Sequence, residues 1–204
     1  MGANAQTEVP TFTAGEVLTA ADMNISARTG IPVFADATAR DAAFGGAGEK
    51  TLAEGQFAYL EDTNMPQVYQ ASQWVNLLGS SAEVITSQTT TSVTFADLST
   101  AGPSVTVTTG TSALVFLSAY AANTLSAGYT GFIGINVSGA STIAATEDRG
   151  ARTAFYGNGT SINLAACVKI TGLTAGSNVF KLQYKCDGST IAFANRSIIV
   201  IPLT

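Results

Sequence analysis

Val179-Phe180-Lys181-Leu182-Gln183-Tyr184-Lys185-Cys186 alternates strictly between two kinds of residue. Phe180, Leu182, Tyr184 and Cys186 share one face, and Lys181, Gln183 and Lys185 share the other. That period of two is the mark of a β-strand with one face on a core. Leu164, Ala166, Val168 and Ile170 repeat it upstream, and the intervening Gly172-Leu173-Thr174-Ala175-Gly176-Ser177-Asn178 is rich in turn formers. Pairing the runs antiparallel, with Val168 opposite Leu182, sets Ile170 against Phe180, Ala166 against Tyr184 and Leu164 against Cys186. Every apolar residue then falls on one face, so a hairpin in this register is expected. Ile198-Ile199-Val200-Ile201 is apolar on both faces and has to be covered on both, within the domain or by another subunit.

From Val93 onward the chain keeps this character. Val93-Thr94-Phe95 reads as the opening strand and Gly102-Pro103 as a turn, with Val105-Thr106-Val107 after it. Residues 113–120 are apolar on both faces, hence central or interfacial. Residues 129–137 alternate around Gly131 and Gly134, where another backbone is expected to pass closely. Glu147-Asp148-Arg149-Gly150 is a charged loop and Gly157-Asn158-Gly159 a turn. About eight short strands at regular spacing predict a jelly-roll-like antiparallel β-sandwich over 93–204. Residues 79–92, rich in Ser and Thr, read as a linker or first edge strand.

The N-terminal part divides in two. Residues 34–78 read as a short helix over 36–44, capped by Asp36 or Thr38, followed by a β-meander with strands over 56–60, 65–69 and 74–77. Residues 1–33 read as an arm. Thr13-Ala14-Gly15-Glu16 fits a capping box, and Thr19 starts a short helix over 20–28 closed by Gly30 and Pro32. Such a helix needs something to dock on. The arm is therefore either an attachment element, with Phe12, Val17, Leu18 and Met23 as its apolar contacts, or a segment lying on its own domain. The expected fold is mainly β throughout.

Composition bounds the function. Charged residues are 11% of the 204, against about 25% in an ordinary soluble domain. No apolar run approaches the ~20 residues that cross a bilayer, so membrane insertion is not expected. A positive mean hydropathy of +0.27 instead predicts apolar surface covered by other subunits. A net charge of −5 without a basic cluster argues against nucleic-acid binding. The first residues show neither a secretory nor a myristoylation signal. The hairpin register puts Cys167 and Cys186 on opposite faces, which disfavours a bridge, and free thiols fit a reducing cytoplasm. The three Asn-X-Ser/Thr triplets, at Asn136, Asn158 and Asn195, then read as chance.

With no histidine in the chain, Ser–His and Cys–His nucleophiles and the usual zinc sites are excluded. Asp97, Glu147, Asp148 and Asp187 are the carboxylates a glycoside-cleaving pair would draw on, but they are spread over loops, and Arg149 and Arg152 stand beside the middle two. Gly45-Gly46-Ala47-Gly48-Glu49-Lys50-Thr51 fails as a phosphate loop because Glu49 precedes the lysine. Glu61 and Asp62 offer too few oxygens for calcium. No enzyme, cofactor or metal is expected.

Three stretches carry a resemblance: Phe34-Ala35-Asp36-Ala37-Thr38-Ala39-Arg40-Asp41-Ala42, then Glu54-Gly55-Gln56-Phe57-Ala58-Tyr59-Leu60-Glu61-Asp62-Thr63-Asn64, then Val68-Tyr69-Gln70-Ala71-Ser72-Gln73-Trp74. Together they resemble a module of tailed-bacteriophage fibre and minor tail proteins. The lead-in Phe12-Thr13-Ala14-Gly15-Glu16-Val17-Leu18-Thr19-Ala20-Ala21-Asp22-Met23-Asn24 is similar to the start of such proteins in phages of actinobacteria. Residues 173–180 and 193–200 resemble their terminal β-sandwich. Where that module often has Gly-Ser before the tryptophan region, this chain has Ala71-Ser72-Gln73.

The resemblance implies a virion surface protein assembled in the host cytoplasm, commonly a homotrimer. Its implied partners are tail-tip or baseplate proteins and the host surface, glycan included. A capsid decoration protein on the major capsid shell is the alternative. A free carbohydrate-binding sandwich is a third reading, with Tyr120, Tyr129 and Tyr156 as its aromatic candidates and Trp74 left in the meander. Leu114, Phe116, Ile198, Ile199, Val200 and Ile201 are the expected subunit interface.

Overall fold

The computed structural model describes residues 15, 17, 30–44, 52–70, 72–124 and 128–203. The helix expected over 20–28 and the loop 45–51 lie outside these residues. The chain divides into two compact units, Met1–Leu78 and Gly79–Thr204.

The first unit holds β1 (Val33–Phe34), α1 (Ala37–Ala43), β2 (Phe57–Leu60), β3 (Met65–Gln70) and β4 (Gln73–Asn76). Strands β2, β3 and β4 form the expected meander, and β1 adds to β2 in parallel. Of the two candidate caps, Asp36 is the one used: its carboxylate accepts from the Ala39 N–H at 2.8 Å. Phe34, Ala43, Phe44, Ala58 and Leu60 form a small core. Trp74 packs on it, 5.6 Å from the Phe44 ring, with the Arg40 guanidinium 4.7 Å from its own.

The second unit is a jelly-roll sandwich. Its strands are β5 (Ser80–Val84), β6 (Gln88–Thr90), β7 (Ser104–Thr109), β8 (Ser112–Asn123), β9 (Tyr129–Gly139), β10 (Gly150–Phe155), β11 (Ser161–Thr171), β12 (Gly176–Cys186) and β13 (Ile191–Leu203). One sheet runs β10-β9-β12-β7 and the other β11-β8-β13-β5, with β6 on the far end of β13. All these pairings are antiparallel. Val115, Leu117, Ile133, Ile135, Phe180, Leu182, Tyr184, Phe193, Ile198 and Val200 lead the core between the sheets.

Four expectations are corrected. First, β11 and β12 form no hairpin. β11 pairs with β8, and β12 lies between β7 and β9 in the opposite sheet. Both runs do bury the faces read from their alternation, since Leu164, Ile170, Phe180 and Leu182 belong to one core. They meet it as facing layers. Leu173, in the supposed turn, is buried in that core, and its N–H donates to the Thr111 carbonyl at 3.0 Å. A two-strand turn would have left that leucine in water. Second, of the two readings of 79–92 the edge strand holds and the linker does not: β5 and β6 both pair with β13, and β5 ends its sheet. Third, Val93-Thr94-Phe95 is not a strand. The segment runs along the edge of β12 beyond β7, where Ala96 exchanges backbone hydrogen bonds with Tyr184 and the Ser92 carbonyl accepts from the Cys186 N–H. Fourth, what crowds Gly131 and Gly134 is side chains. A Cβ at Gly134 would lie 2.7 Å from the Phe95 ring and 2.9 Å from the Ala145 methyl.

A bulge in β13 between Ala194 and Ser197 turns Arg196 inward, where it is fully buried. Its guanidinium donates to the carbonyls of Thr100 and Gly102, at 3.3 and 3.1 Å, and to Oε1 of Gln88 at 3.1 Å. The Tyr184 hydroxyl donates to the same Gly102 carbonyl at 3.2 Å. Arg196 thus fastens the root of the segment that runs along the edge of β12.

Candidate interaction face

Paired residues on neighbouring strands point to the same side of a sheet, so register decides which side chains share a surface. On the outer side of β11-β8-β13, Cys167, Phe116 and Ile199 form one row. Lys169, Leu114 and Ile201 form the next on one side, Ala165, Ser118 and Ser197 the next on the other, and Asn163, Tyr120 and Ala194 lie beyond. Phe116 is 39% exposed, Ile199 42% and Tyr120 38%. The row of small residues forms the floor of a hollow of about 440 Å³, walled by Phe116, Ile199 and Cys167. Charge appears only at the margins of these rows, in Lys169 and in Glu83 of β5.

The expected interface residues therefore separate by face. Leu114, Phe116, Ile199 and Ile201 lie on this outer surface. Ile198 and Val200 point the other way and are fully buried in the chain's own core. Their apolar character needs no partner, because a central strand buries its inner face within the sandwich. Of the attachment residues, Val17 is 86% exposed; Phe12, Leu18 and Met23 lie outside the described residues.

The carboxylates are held by separate partners. Asp97 pairs with Lys181 at 2.7 Å. Glu147 pairs with Lys185 at 2.5 Å and Arg152 at 3.6 Å. Asp187 accepts from the Thr130 N–H at 2.6 Å, and Asp148 is exposed. Among the described residues, no group of three or more His, Cys, Asp or Glu is placed to hold a metal ion. The aromatic candidates are scattered. Tyr120 is on the β8 face, Tyr129 begins β9 and Tyr156 stands 88% exposed after β10. Cys167 and Cys186 are both free, the first exposed and the second buried. Sequence reasoning missed the hollow, because three small residues from three strands meet only once β11, β8 and β13 are in register.

No protein-family model matches the chain, and no curated protein matches it. Among solved structures, the chain is similar to the Eiger TNF of S. frugiperda, with 11% identity, a TM-score of 0.43, and coverage of 62% of this chain and 94% of that one. It is also similar to the CBM22-1 xylan-binding domain of Paenibacillus barcinonensis Xyn10C, with 12% identity, a TM-score of 0.32, and coverage of 62% and 98%. Both likenesses are distant, and neither brings a ligand or an assembly to this chain.

Proposed function

We propose that this protein is a non-enzymatic structural component of a tailed-bacteriophage particle, a minor tail or fibre protein displayed on the virion surface and assembled as a homo-oligomer, a trimer by preference. The observation that carries this reading is the apolar outer face of β11-β8-β13, left uncovered by the described residues of the sandwich itself. A contiguous apolar surface of this extent is what an assembling subunit presents and what a free monomer avoids. The fibre-like segments over 12–24 and 34–74 supply the context. In this reading residues 1–33 dock on tail-tip or baseplate proteins, and the sandwich projects toward the host surface, where a cell-wall glycan is a candidate contact.

Copy number relative to the major capsid subunit, measured by quantitative mass spectrometry of purified particles, tests it. A few multiples of three are expected. A number comparable to the shell protein would make the chain a capsid decoration protein. Absence from particles would overturn the virion reading.

A further inference from the structure

The geometry points to a second copy of this same chain as the occupant of the β11-β8-β13 face, with the hollow over Ser118 as its socket. This rests on the oligomeric reading above and says which surface carries it. Three features select the occupant. The first is size. Three long strands at about 4.8 Å spacing, some eleven residues long at about 3.4 Å per residue, cover on the order of 500 Å², and β5 widens the face further. Standard interfaces take about 600–1,000 Å² from each partner, so the face is of the order one stable contact needs.

The second feature is charge. The rows Cys167–Phe116–Ile199 and Ala165–Ser118–Ser197 contain none, so a second copy meets no like charge at the centre. Lys169 and Glu83 wait at the margins with opposite signs. A basic or acidic ligand finds no counter-charge there. The third feature is shape. The face carries both a depression and exposed rings beside it, Phe116 on one side of Ser118 and Tyr120 on the other. One copy's ring is thus a ready filler for its neighbour's hollow, as in the anchored centres of protein interfaces.

Cys167 reports on this contact. It is exposed in the single chain and walls the hollow, whereas Cys186 is buried in the core. The full chain is sized by light scattering at its highest soluble concentration and treated with iodoacetamide, with modification read by peptide mass spectrometry. Ser118→Arg places a charge on the floor of the hollow without touching the core. Ala165→Arg does the same from the exposed edge strand β11 and serves if the first variant fails to fold.

The wild-type chain is expected as an oligomer whose Cys167 reacts roughly tenfold or more slowly than the same thiol in the urea-unfolded wild-type chain, since an occluded thiol is slowed. The variant is expected as a monomer with a reactive Cys167 and an unreactive Cys186. An oligomer whose Cys167 reacts as fast as it does in the unfolded chain would overturn this placement and leave the oligomeric reading standing. A monomeric wild-type chain would overturn both.

Discussion

The two outer faces of the sandwich solve the same problem in opposite ways. On the β12 side the outward residues are Lys181, Gln183 and Lys185, and side chains of flanking segments close on them. Lys185 sits 4.5 Å from the Phe132 ring and 5.3 Å from that of Phe95, and its ammonium meets Glu147. Asp97 closes on Lys181 in the same way. On the β8 side the outward residues are Leu114, Phe116, Ile199 and Ile201, and no described residue of the sandwich lies over Phe116 or Ile199, which stay about 40% exposed. One sheet is finished intramolecularly by charges, rings and a segment along its β12 edge. The other is finished, on our reading, by a neighbour.

The largest effect should come from adjacent residues of β13 that belong to different faces. Ile198→Asp buries a carboxylate in the core and should cost about 4 kcal/mol or more, leaving no folded protein by circular dichroism. Ile199→Asp places the same charge outside. It should leave the sandwich folded, with a loss of about 1–2 kcal/mol in urea unfolding from the poorer strand preference and the lost pairing with Phe116, while abolishing oligomers in light scattering. An intact oligomer from Ile199→Asp would erase the contrast between the faces.

Arg196→Met tests the fastening of the covering segment. It strands the acceptors at Thr100, Gly102 and Gln88, and we expect a loss of about 2–4 kcal/mol in urea unfolding. Proteolysis between residues 91 and 103 should become faster than elsewhere. Gly134→Val acts from below the same cover. Its side chain would occupy the space of the Phe95 ring, and a loss of about 1–3 kcal/mol is expected. A neutral result would mean the cover is loose.

Two smaller effects follow. Burial pushes the Tyr184 hydroxyl well above its usual range, and the nearby Arg196 charge only partly opposes this. The folded state therefore holds that proton more tightly than the unfolded state. The sandwich should keep this stability below about pH 10 and lose it progressively as pH rises above that value, as read from urea midpoints. Glu147→Gln should matter least. Its partners and the carboxylate itself are partly exposed, so a change within about 1 kcal/mol, shrinking further in salt, is expected.

Much of this was legible from alternation. Inward Phe180, Leu182, Tyr184 and Cys186, inward Leu164 and Ile170, the exposed Cys167 and the meander all follow from period-two patterns and local caps. Alternation names a face but not a partner strand, and that is why the 162–186 hairpin failed. Two strands stacked across a core bury the same residues as two strands side by side. Residues 80–90 stay open between linker and edge strand in the sequence, because Ser and Thr suit both, and their pairing with β13 is a matter of tertiary register. In the doubly apolar stretch 198–201 the period was hidden, so Ile198 and Val200 were counted with Ile199 and Ile201. The β8 face was read in part, from Leu114 and Phe116, while its hollow needed three strands in place.

β13 pairs with β8, β5 and β6 at once, so one sheet is built around the strand that is synthesised last of the nine. Contacts of such long sequence separation are slow to form. Until β13 leaves the ribosome, β5, β6 and β8 have no common neighbour, and the apolar edge of β8 is open. The sandwich must therefore fold late, after nearly all of it has been made, and the proposed contact between copies can form only after that final strand has levelled the face.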